Sequence, residues 1–194
     1  RRVLEGSLGC PNCRDQFPVE GGYGDLRPPP RSAVHGAPDL EAPTSPPAME
    51  VAALLGLAEG AGSVALIGDI AGHATALAAL VPGVEFIGIA PGLRGWEEGE
   101  GVSRLNAGAS LPFSSGSLRG VGLFAPEAQS AETPVVEAPV VEAPVASELA
   151  RVLVPSGRIV VWGAVREWEK ALRSEGLEVL ASEETAVVVK RMAT

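Results

Sequence analysis

The chain of 194 residues carries 24 acidic and 15 basic side chains, and its net charge of −9 argues against nucleic acid as a primary partner, which would need a basic surface. Apolar residues make up 46% of the chain, enough for a sizeable core in one ordinary domain with a small appendage. No run is long and apolar enough to cross a bilayer and no signal peptide is recognisable, so we expect a soluble, cytoplasmic protein.

The first distinctive motif is Cys10-Pro11-Asn12-Cys13. Two cysteines at this spacing in a tight turn can supply two of the four thiolate ligands of a tetrahedral zinc ion. Three interpretations stay open: half of a zinc ribbon whose other cysteines lie upstream, a turn that holds no metal, and a redox dithiol. The dithiol is disfavoured because no thioredoxin-like β-α-β unit surrounds the pair. His35 is the only histidine near the motif, and it lies in proline-rich sequence.

The sequence around these cysteines resembles that of a known family. The matching stretches are Leu8-Gly9-Cys10-Pro11-Asn12-Cys13, Phe17-Pro18-Val19-Glu20 and the glycine-rich turn into Asp25-Leu26. They resemble the second half of the small zinc ribbons that activate tRNA, rRNA and release-factor methyltransferases. The resemblance implies a β-ribbon over residues 1–26, a protein partner, and a zinc site that is incomplete because the first cysteine pair is missing. Residues 27–47 are rich in proline and predict an extended linker.

The central feature of the chain is a predicted β-α-β unit between residues 63 and 91. Val64 to Ile67 is a short apolar run typical of a strand buried on both faces. Gly68 and Gly72 indicate a turn, the small residues from Ala74 to Leu80 favour a helix, and Val84 to Ile89 predicts a second buried strand. Such a unit places backbone N–H groups at a helix N-terminus and normally binds a nucleotide-like ligand.

Helices and strands alternate through the rest of the chain. We expect helices over residues 47–60, 147–153 and 166–175, and strands over 102–106, 120–124, 157–162, 177–180 and 185–190. An ion pair between Glu169 and Arg173 and a C-terminal cap at Gly176 support the last helix. The repeat in residues 134–144 has a proline every fifth residue and predicts an extended, low-complexity loop. The alternation predicts a doubly wound α/β sheet.

Two stretches of this second part, Leu111 to Leu118 and Glu148 to Val161, resemble motifs of class I S-adenosylmethionine-dependent methyltransferases, in the family's order. The resemblance covers residues 48–194 and implies a Rossmann-like methyltransferase sheet. It also implies that S-adenosylmethionine would bind at the glycine turn and at the ends of the next two strands. The positions that would form this site are Gly68, Asp69, Gly72, Ala90, Asn106 and Ala107.

Several of the family's ligand-binding residues are replaced in this chain. Ile70 stands where the middle glycine is expected, and we expect its branched side chain to crowd the ligand. The acid that accepts hydrogen bonds from the ribose is Ala90, and the acid that meets the adenine amino group is Ala107. Leu66 and Arg119 replace two further acids. Each lost charged acceptor costs about 1.5–3 kcal/mol, so binding of S-adenosylmethionine should be strongly impaired.

Other polar and aromatic residues lie near the expected crevice and could substitute for the lost ones. We interpret Asp69 as a cap of the following helix, His73 as a solvated residue, and Trp96 as a loop aromatic that covers the core. Glu97 and Glu98 are interpreted as a solvated pair. We assign no catalytic residue.

The sequence therefore predicts a degenerate, non-catalytic methyltransferase-like protein. Its expected role is that of an interaction subunit of a methyltransferase or ribosome-associated assembly, or a homodimer, without direct contact to nucleic acid. The ribbon can dock in cis across the linker, with strand pairing along a sheet edge as one physical route. The alternative is an active S-adenosylmethionine-dependent methyltransferase with an atypical cofactor pocket.

Overall fold

One mixed sheet runs through the computed structural model, which describes residues 3–11, 13–31, 46–58, 60–97, 99–125 and 143–192. Its strands are β1 (Gly6–Gly9), β2 (Gln16–Glu20), β3 (Tyr23–Asp25), β4 (Gly62–Ile67), β5 (Val84–Ile89), β6 (Val102–Asn106), β7 (Leu118–Phe124), β8 (Leu153–Trp162), β9 (Glu178–Ser182) and β10 (Ala186–Lys190). The helices are α1 (Ala48–Leu54), α2 (Ala74–Leu80), α3 (Ala143–Val152) and α4 (Val165–Ser174), and two 3₁₀ segments span Gly68–His73 and Pro91–Gly95.

The strand order is β1-β2-β3-β6-β5-β4-β7-β8-β10-β9. From β6 to β8 all neighbours are parallel, whereas β10 is antiparallel to both β8 and β9. The order of the strands reverses between β4 and β7, because β5 and β6 are added on one side of β4 whereas β7 and β8 are added on the other. This matches the doubly wound order 3-2-1-4-5-6, except that the antiparallel strand β10 is inserted beside the edge strand β9. The predicted doubly wound α/β sheet is confirmed.

Helices cover both faces of the sheet and create two cores. On one face α1, α2 and the first 3₁₀ segment bury side chains such as Leu77 and Phe86. On the other face α3 and α4 bury Leu149, Trp168 and Leu172. The central strands are apolar on both faces because both faces are covered. Within the described ranges, no helix has the length and apolar character needed to cross a membrane.

The N-terminal strands form a small antiparallel ribbon that continues the main sheet. β1 pairs with β2 and β2 with β3, and β3 then lies parallel to β6 with Tyr23 opposite Arg104 and Asp25 opposite Asn106. The expected ribbon is present, and it docks in cis by strand pairing along a sheet edge. We call residues 3–26 the N-terminal ribbon.

Most predicted elements agree with the structure, and the differences have local causes. Helix α1 ends at Leu54 rather than near residue 60, because the chain turns at Gly56 with a φ of +69°. Strand β8 begins at Leu153 rather than Gly157. Its ladder with β7 shifts register there, since Pro155 has no N–H to donate and the chain bulges.

The proline-rich segments lie mostly outside the described residues. This holds for residues 32–45 of the linker and for residues 134–142 of the repeat. The last two repeat residues, Ala143 and Pro144, are not an extended loop as predicted, because they begin α3. Proline is tolerated in the first turn of a helix, where its missing N–H would have no intrahelical acceptor.

Candidate functional site

The carboxyl ends of the parallel strands meet at one edge of the sheet, which we call the carboxyl edge. Pairing of Ile67 with Ile89, and of Ile89 with Leu105, aligns the ends of β4, β5 and β6. The alignment extends one residue further, because the Ala90 N–H donates to the Leu105 oxygen at 3.2 Å. The structure therefore brings the ends of the three strands that carry the predicted cofactor positions to the same edge.

The turn after β4 is a 3₁₀ segment, Gly68–His73, that leads directly into α2. Gly68 has a φ of +75°, a conformation that favours glycine. Ile70 is fully buried, and its Cγ2 lies 3.9 Å from the position a Cβ on Gly122 of β7 would take. The branched side chain thus points into the core, and the expectation that it crowds the ligand is wrong.

Ala90, at the position of the ribose-binding acid, is only 4% exposed. Its backbone oxygen accepts a hydrogen bond of 3.4 Å from the phenol oxygen of Tyr23, which belongs to the N-terminal ribbon. Burial, together with the nearby charge of Asp25, raises the pKa of Tyr23 to about 12, so the phenol is a donor at neutral pH. Ala90 has no side-chain acceptor for a ribose hydroxyl, and Tyr23 of the ribbon belongs to the same core cluster.

The segment after Ala90 reaches the first 3₁₀ segment, Gly68–His73. Trp96 packs against the core on this face, and a Cβ on Gly72 would lie 3.4 Å from its Cη2 atom. Close approach of the indole therefore leaves little room for a side chain at position 72. Trp96 covers the core, as we expected of a loop aromatic.

Arg104 holds this segment in place and was missed by sequence reasoning. The residue lies in β6 and is 6% exposed. Its guanidinium donates to the backbone oxygens of Leu93 at 3.3 Å and Gly21 at 2.6 Å, and also to that of Trp96. The one signal in the sequence was an arginine between Val102 and Leu105 of a predicted strand, since such a charge is buried only when its donors are satisfied.

Asp25 of the ribbon is a carboxylate at the carboxyl edge, opposite Asn106 in the β3–β6 pair. Arg27 binds both of its oxygens, at 2.9 and 2.7 Å, and these hydrogen bonds lower the pKa of Asp25. Asn106 itself is buried and Ala107 is half-buried. An acid therefore lies beside the expected adenine position, but it comes from the ribbon and is occupied by an arginine.

The remaining polar candidates stay at the margin of this edge. Asp69 is exposed and makes no side-chain capping bond to the 3₁₀ segment or to α2, so its interpretation as a cap is wrong. His73 is half-buried rather than solvated; burial lowers its pKa, and it hydrogen-bonds to the backbone of Pro46. Glu97 is exposed, and Glu98 lies outside the described residues.

The two motifs behind the methyltransferase resemblance contact each other. The Leu111 N–H donates to Glu148 Oε2 at 3.0 Å, while Arg151 donates to the oxygens of Phe113 at 2.8 Å and Leu111 at 3.1 Å. Arg151 and Glu148 are also paired at 2.7 Å. The motifs therefore clamp the loop before β7 onto α3, which is a structural role.

Two cavities lie away from the glycine turn. A cavity of about 400 Å³ lies at the opposite edge of the sheet, between the C-terminal ends of α3 and α4, with Arg151 and Arg191 in its lining. A second, of about 40 Å³, lies between Tyr23, Asp25 and Arg94. The second is far smaller than the roughly 300–1,000 Å³ of a small-molecule site.

The predicted metal ligands lie apart from the carboxyl edge. Cys10 and Cys13 follow β1, and both are thiols. Across the described part of the chain, no three or more His, Cys, Asp or Glu side chains group in a way that could hold a metal ion. Cys10 and Cys13 would supply two of the four ligands of a structural zinc site.

The fold is that of S-adenosylmethionine-dependent methyltransferases. The antibiotic-resistance methyltransferase Kmr aligns with a TM-score of 0.51 and 18% identity over 77% of this chain and 95% of its own. Geranyl diphosphate methyltransferase in complex with GPP and sinefungin gives 0.55 and 14% over 75% and 77%. The complex between the Haloferax volcanii Trm112 methyltransferase activator and the putative methyltransferase gives 0.53 and 16% over 75% and 90%. No family model matches the sequence, and neither does any curated protein.

Proposed function

We propose that this protein is a non-catalytic member of the methyltransferase-like fold that acts as an interaction subunit of a methyltransferase or a ribosome-associated assembly. One observation carries the proposal. At the position where a ribose acid would stand, Ala90 is buried, and its backbone oxygen is bonded by Tyr23 of the N-terminal ribbon. The ribbon supports the same edge at which a cofactor would bind.

Binding of S-adenosylmethionine depends on side chains at the carboxyl edge that can accept its hydrogen bonds. The residues at the ends of β5 and β6 are Ala90, Asn106 and Ala107, none of which is a carboxylate. Two hydroxyls of a ribose and an adenine amino group would therefore lose their charged acceptors, at about 1.5–3 kcal/mol per hydrogen bond. Three such losses weaken binding by roughly 10³-fold to 10⁶-fold. These residues do not fit the cofactor.

The interaction role is supported by the arrangement of ribbon and sheet. In the Haloferax volcanii complex, a methyltransferase activator and a putative methyltransferase are separate proteins. Here a ribbon that resembles such activators is part of the same chain and pairs with β6. The linker of residues 27–47 holds the two at high local concentration. A methyltransferase-like fold that has lost its cofactor contacts still presents a surface to which another protein can bind.

Two measurements on the full chain test the proposal together. A tagged copy expressed in the native cells should recover a protein partner in a constant stoichiometric ratio. The purified chain alone should transfer no methyl group from radiolabelled S-adenosylmethionine to a heat-inactivated lysate or ribosome fraction, so that any transfer requires the partner. A purified monomer that transfers methyl groups without a partner would refute the proposal.

The alternative, an active methyltransferase with an atypical pocket, is favoured by one observation. Asp25 lies opposite Asn106, so the ribbon brings a carboxylate to the adenine side of the edge. It could replace the acid lost at Ala107 if its pairing with Arg27 opened. When bound, S-adenosylmethionine would supply the methyl group, and the chain would position it. In that case Asp25→Asn should weaken cofactor binding, whereas exchanging the exposed Glu167 of α4 for Gln should not.

A further inference from the structure

Three basic side chains lie at the edge of the sheet opposite to the carboxyl edge, which we call the amino edge. Arg119 is the second residue of β7, Arg158 lies in β8, and Lys190 ends β10. These three strands are neighbours in the sheet. Arg158 is directly opposite Lys190 on one side and Gly120, the residue after Arg119, on the other. The three cations are therefore close together, and we call them the amino-edge cluster.

The turn that connects α1 to β4 holds the two arginines in place. The Nη1 group of Arg158 donates to the backbone oxygen of Leu54 at 3.3 Å, and a Cβ on Gly56 would lie 2.8 Å from the Cζ atom of Arg158. A Cβ on Gly60 would lie 3.1 Å from Nη1 of Arg119. Glycine backbone thus packs against both guanidinium groups. Contact with one turn also places the two groups on the same side of the sheet.

The charges of the amino-edge cluster are not neutralised within the described part of the chain. None of its three side chains belongs to an ion pair there. One carboxylate, that of the exposed Glu178 in β9, stands opposite Lys190. Like charges at directly opposed strand positions, such as Arg158 and Lys190, destabilise a sheet. Three cations near one carboxylate leave two positive charges unbalanced, in a chain whose net charge is −9.

The available donors of the cluster indicate which ligand it would bind. A guanidinium presents parallel N–H groups that bind two oxygens of one oxyanion, and partial burial strengthens such bonds. Arg119 and Arg158 are both half-buried. Two unbalanced positive charges suit a phosphate monoester, which carries about −1.5 to −2 at neutral pH. The singly charged phosphodiesters of nucleic acid suit the cluster less, and their binding depends on many such contacts along a basic surface.

We propose that the amino-edge cluster binds a small molecule through its phosphate monoester group. Arg119 and Arg158 donate to the phosphate oxygens, and Lys190 adds a third positive charge. Ligands of doubly wound sheets bind at the carboxyl ends of the strands, so this site lies away from the edge where a cofactor would be expected. The inference goes beyond the proposed function and does not rest on it, and a failure of either leaves the other standing.

The test uses the full chain in phosphate-free buffer of low ionic strength. Calorimetry with inorganic phosphate should show saturable binding at one ion per chain, whereas sodium chloride of equal ionic strength should show none. Glycerol phosphate, a monoester, should match inorganic phosphate to within about threefold in affinity. Dimethyl phosphate and acetate, which carry one charge, should each bind at least about tenfold more weakly. Bound phosphate should also raise the thermal midpoint of the chain.

Variants separate a binding role of Arg119 from a structural one. Arg119→Gln should weaken phosphate binding by at least about tenfold, because charge-assisted hydrogen bonds are lost. Its thermal midpoint without phosphate should not fall, since the substitution breaks no ion pair of the described residues. Arg166→Gln, on the exposed face of α4, is the matched control and should bind phosphate like the unaltered chain. Glu59→Gln should change the affinity by no more than about twofold.

Several results would each overturn the proposal. They are the absence of saturable phosphate binding, equal affinity for dimethyl phosphate or acetate, and unchanged phosphate affinity in Arg119→Gln. A lower midpoint of Arg119→Gln in phosphate-free buffer would show that Arg119 is structural. Much tighter phosphate binding by Glu59→Gln would show that Arg119 is already paired with Glu59. Tighter binding of an RNA oligonucleotide without terminal phosphate than of glycerol phosphate would replace the small molecule with nucleic acid.

Discussion

The guanidinium of Arg104 joins the central sheet to the N-terminal ribbon by donating to the backbone oxygen of Gly21 at 2.6 Å. The same side chain also donates to the oxygens of Leu93 and Trp96, on the segment that follows β5. One buried charge thus ties together the ribbon, β6 and the carboxyl edge. Docking of the ribbon and order in residues 91–96 should therefore depend on each other.

Replacing Arg104 with Met tests this connection. Methionine can fill part of the space, but it leaves the oxygens of Gly21 and Trp96 without the arginine donor, whereas the Leu93 oxygen keeps the Trp96 N–H. Each unsatisfied buried polar group costs about 1–3 kcal/mol. We expect the free energy of unfolding in urea to fall by about 2–4 kcal/mol, with accompanying loss of hydrogen-exchange protection in residues 16–25 and 91–96.

The matched control is Arg166→Met, because Arg166 is exposed on α4. That change should alter the free energy of unfolding by no more than about 0.5 kcal/mol. Equal effects of the two substitutions would contradict the role assigned to Arg104. A loss of hydrogen-exchange protection in the ribbon alone, with residues 91–96 still protected, would also contradict that role.

The pKa of Tyr23 provides a second test, because it is the only tyrosine of the chain. Ultraviolet titration of the native protein should show phenolate only as the pH approaches about 12, against the ordinary value of 10.0. The raised pKa means that Tyr23 contributes stability that is fully present below pH 10 and is lost as the pH rises toward 12.

Comparison with the variant Tyr23→Phe distinguishes the titration of Tyr23 from general alkaline unfolding. Between pH 9 and 11 the unaltered chain should lose more stability than Tyr23→Phe, by up to about 1 kcal/mol. At pH 7 the substitution removes only the bond to Ala90 and should cost about 0.5–1.5 kcal/mol. A phenol that titrates near 10 in the native protein would show that Tyr23 is not buried in contact with Ala90.

Because Glu148 and Arg151 join α3 to the loop before β7, the free energy of unfolding should fall at acidic pH. Hydrogen bonds from Arg151 lower the pKa of Glu148 below its ordinary value of 4.5. Its contribution is therefore present above pH 4.5 and is lost as the pH falls through the lowered value. Glu148→Gln should reduce stability at pH 7 by about 1 kcal/mol and flatten the loss below pH 4.5. Glu167→Gln, on the exposed face of α4, is the control and should leave the acid profile unchanged.

Much of the fold could be predicted because its signals are local. The apolar runs of β4 and β5 identify strands that are buried on both faces, and the glycine between them identifies the turn. The motif around Glu148 and Arg151 was recognised from the sequence, but its hydrogen bonds to the loop before β7 were not predicted. By contrast, the start of α3 was missed because prolines in the repeat suggested extended chain, while Pro144 occupies a tolerated position in the first helical turn.

The site was harder to predict because its contacts are distant in sequence. Arg104 reaches an oxygen 83 residues away, and the Tyr23 phenol reaches one 67 residues away. No periodicity encodes such pairs. The orientation of Ile70 depends on whether the turn closes as a 3₁₀ segment, which the glycine count does not determine. The resemblance alone predicts that Ala90 and Ala107 stand at positions of family acids, and that stays a prediction. The contact of Tyr23 with Ala90 could not be predicted from it.

The measurement that tests the central claim most directly is calorimetry of the full chain with S-adenosylmethionine, repeated with sinefungin. The proposal predicts no saturable heat at ligand concentrations of several hundred micromolar, because Ala90 and Ala107 offer no charged acceptor and the edge is packed against Tyr23. The same protein sample must show a cooperative thermal transition, so that an unfolded chain is not mistaken for a non-binding one. A dissociation constant in the low micromolar range or better would contradict the account.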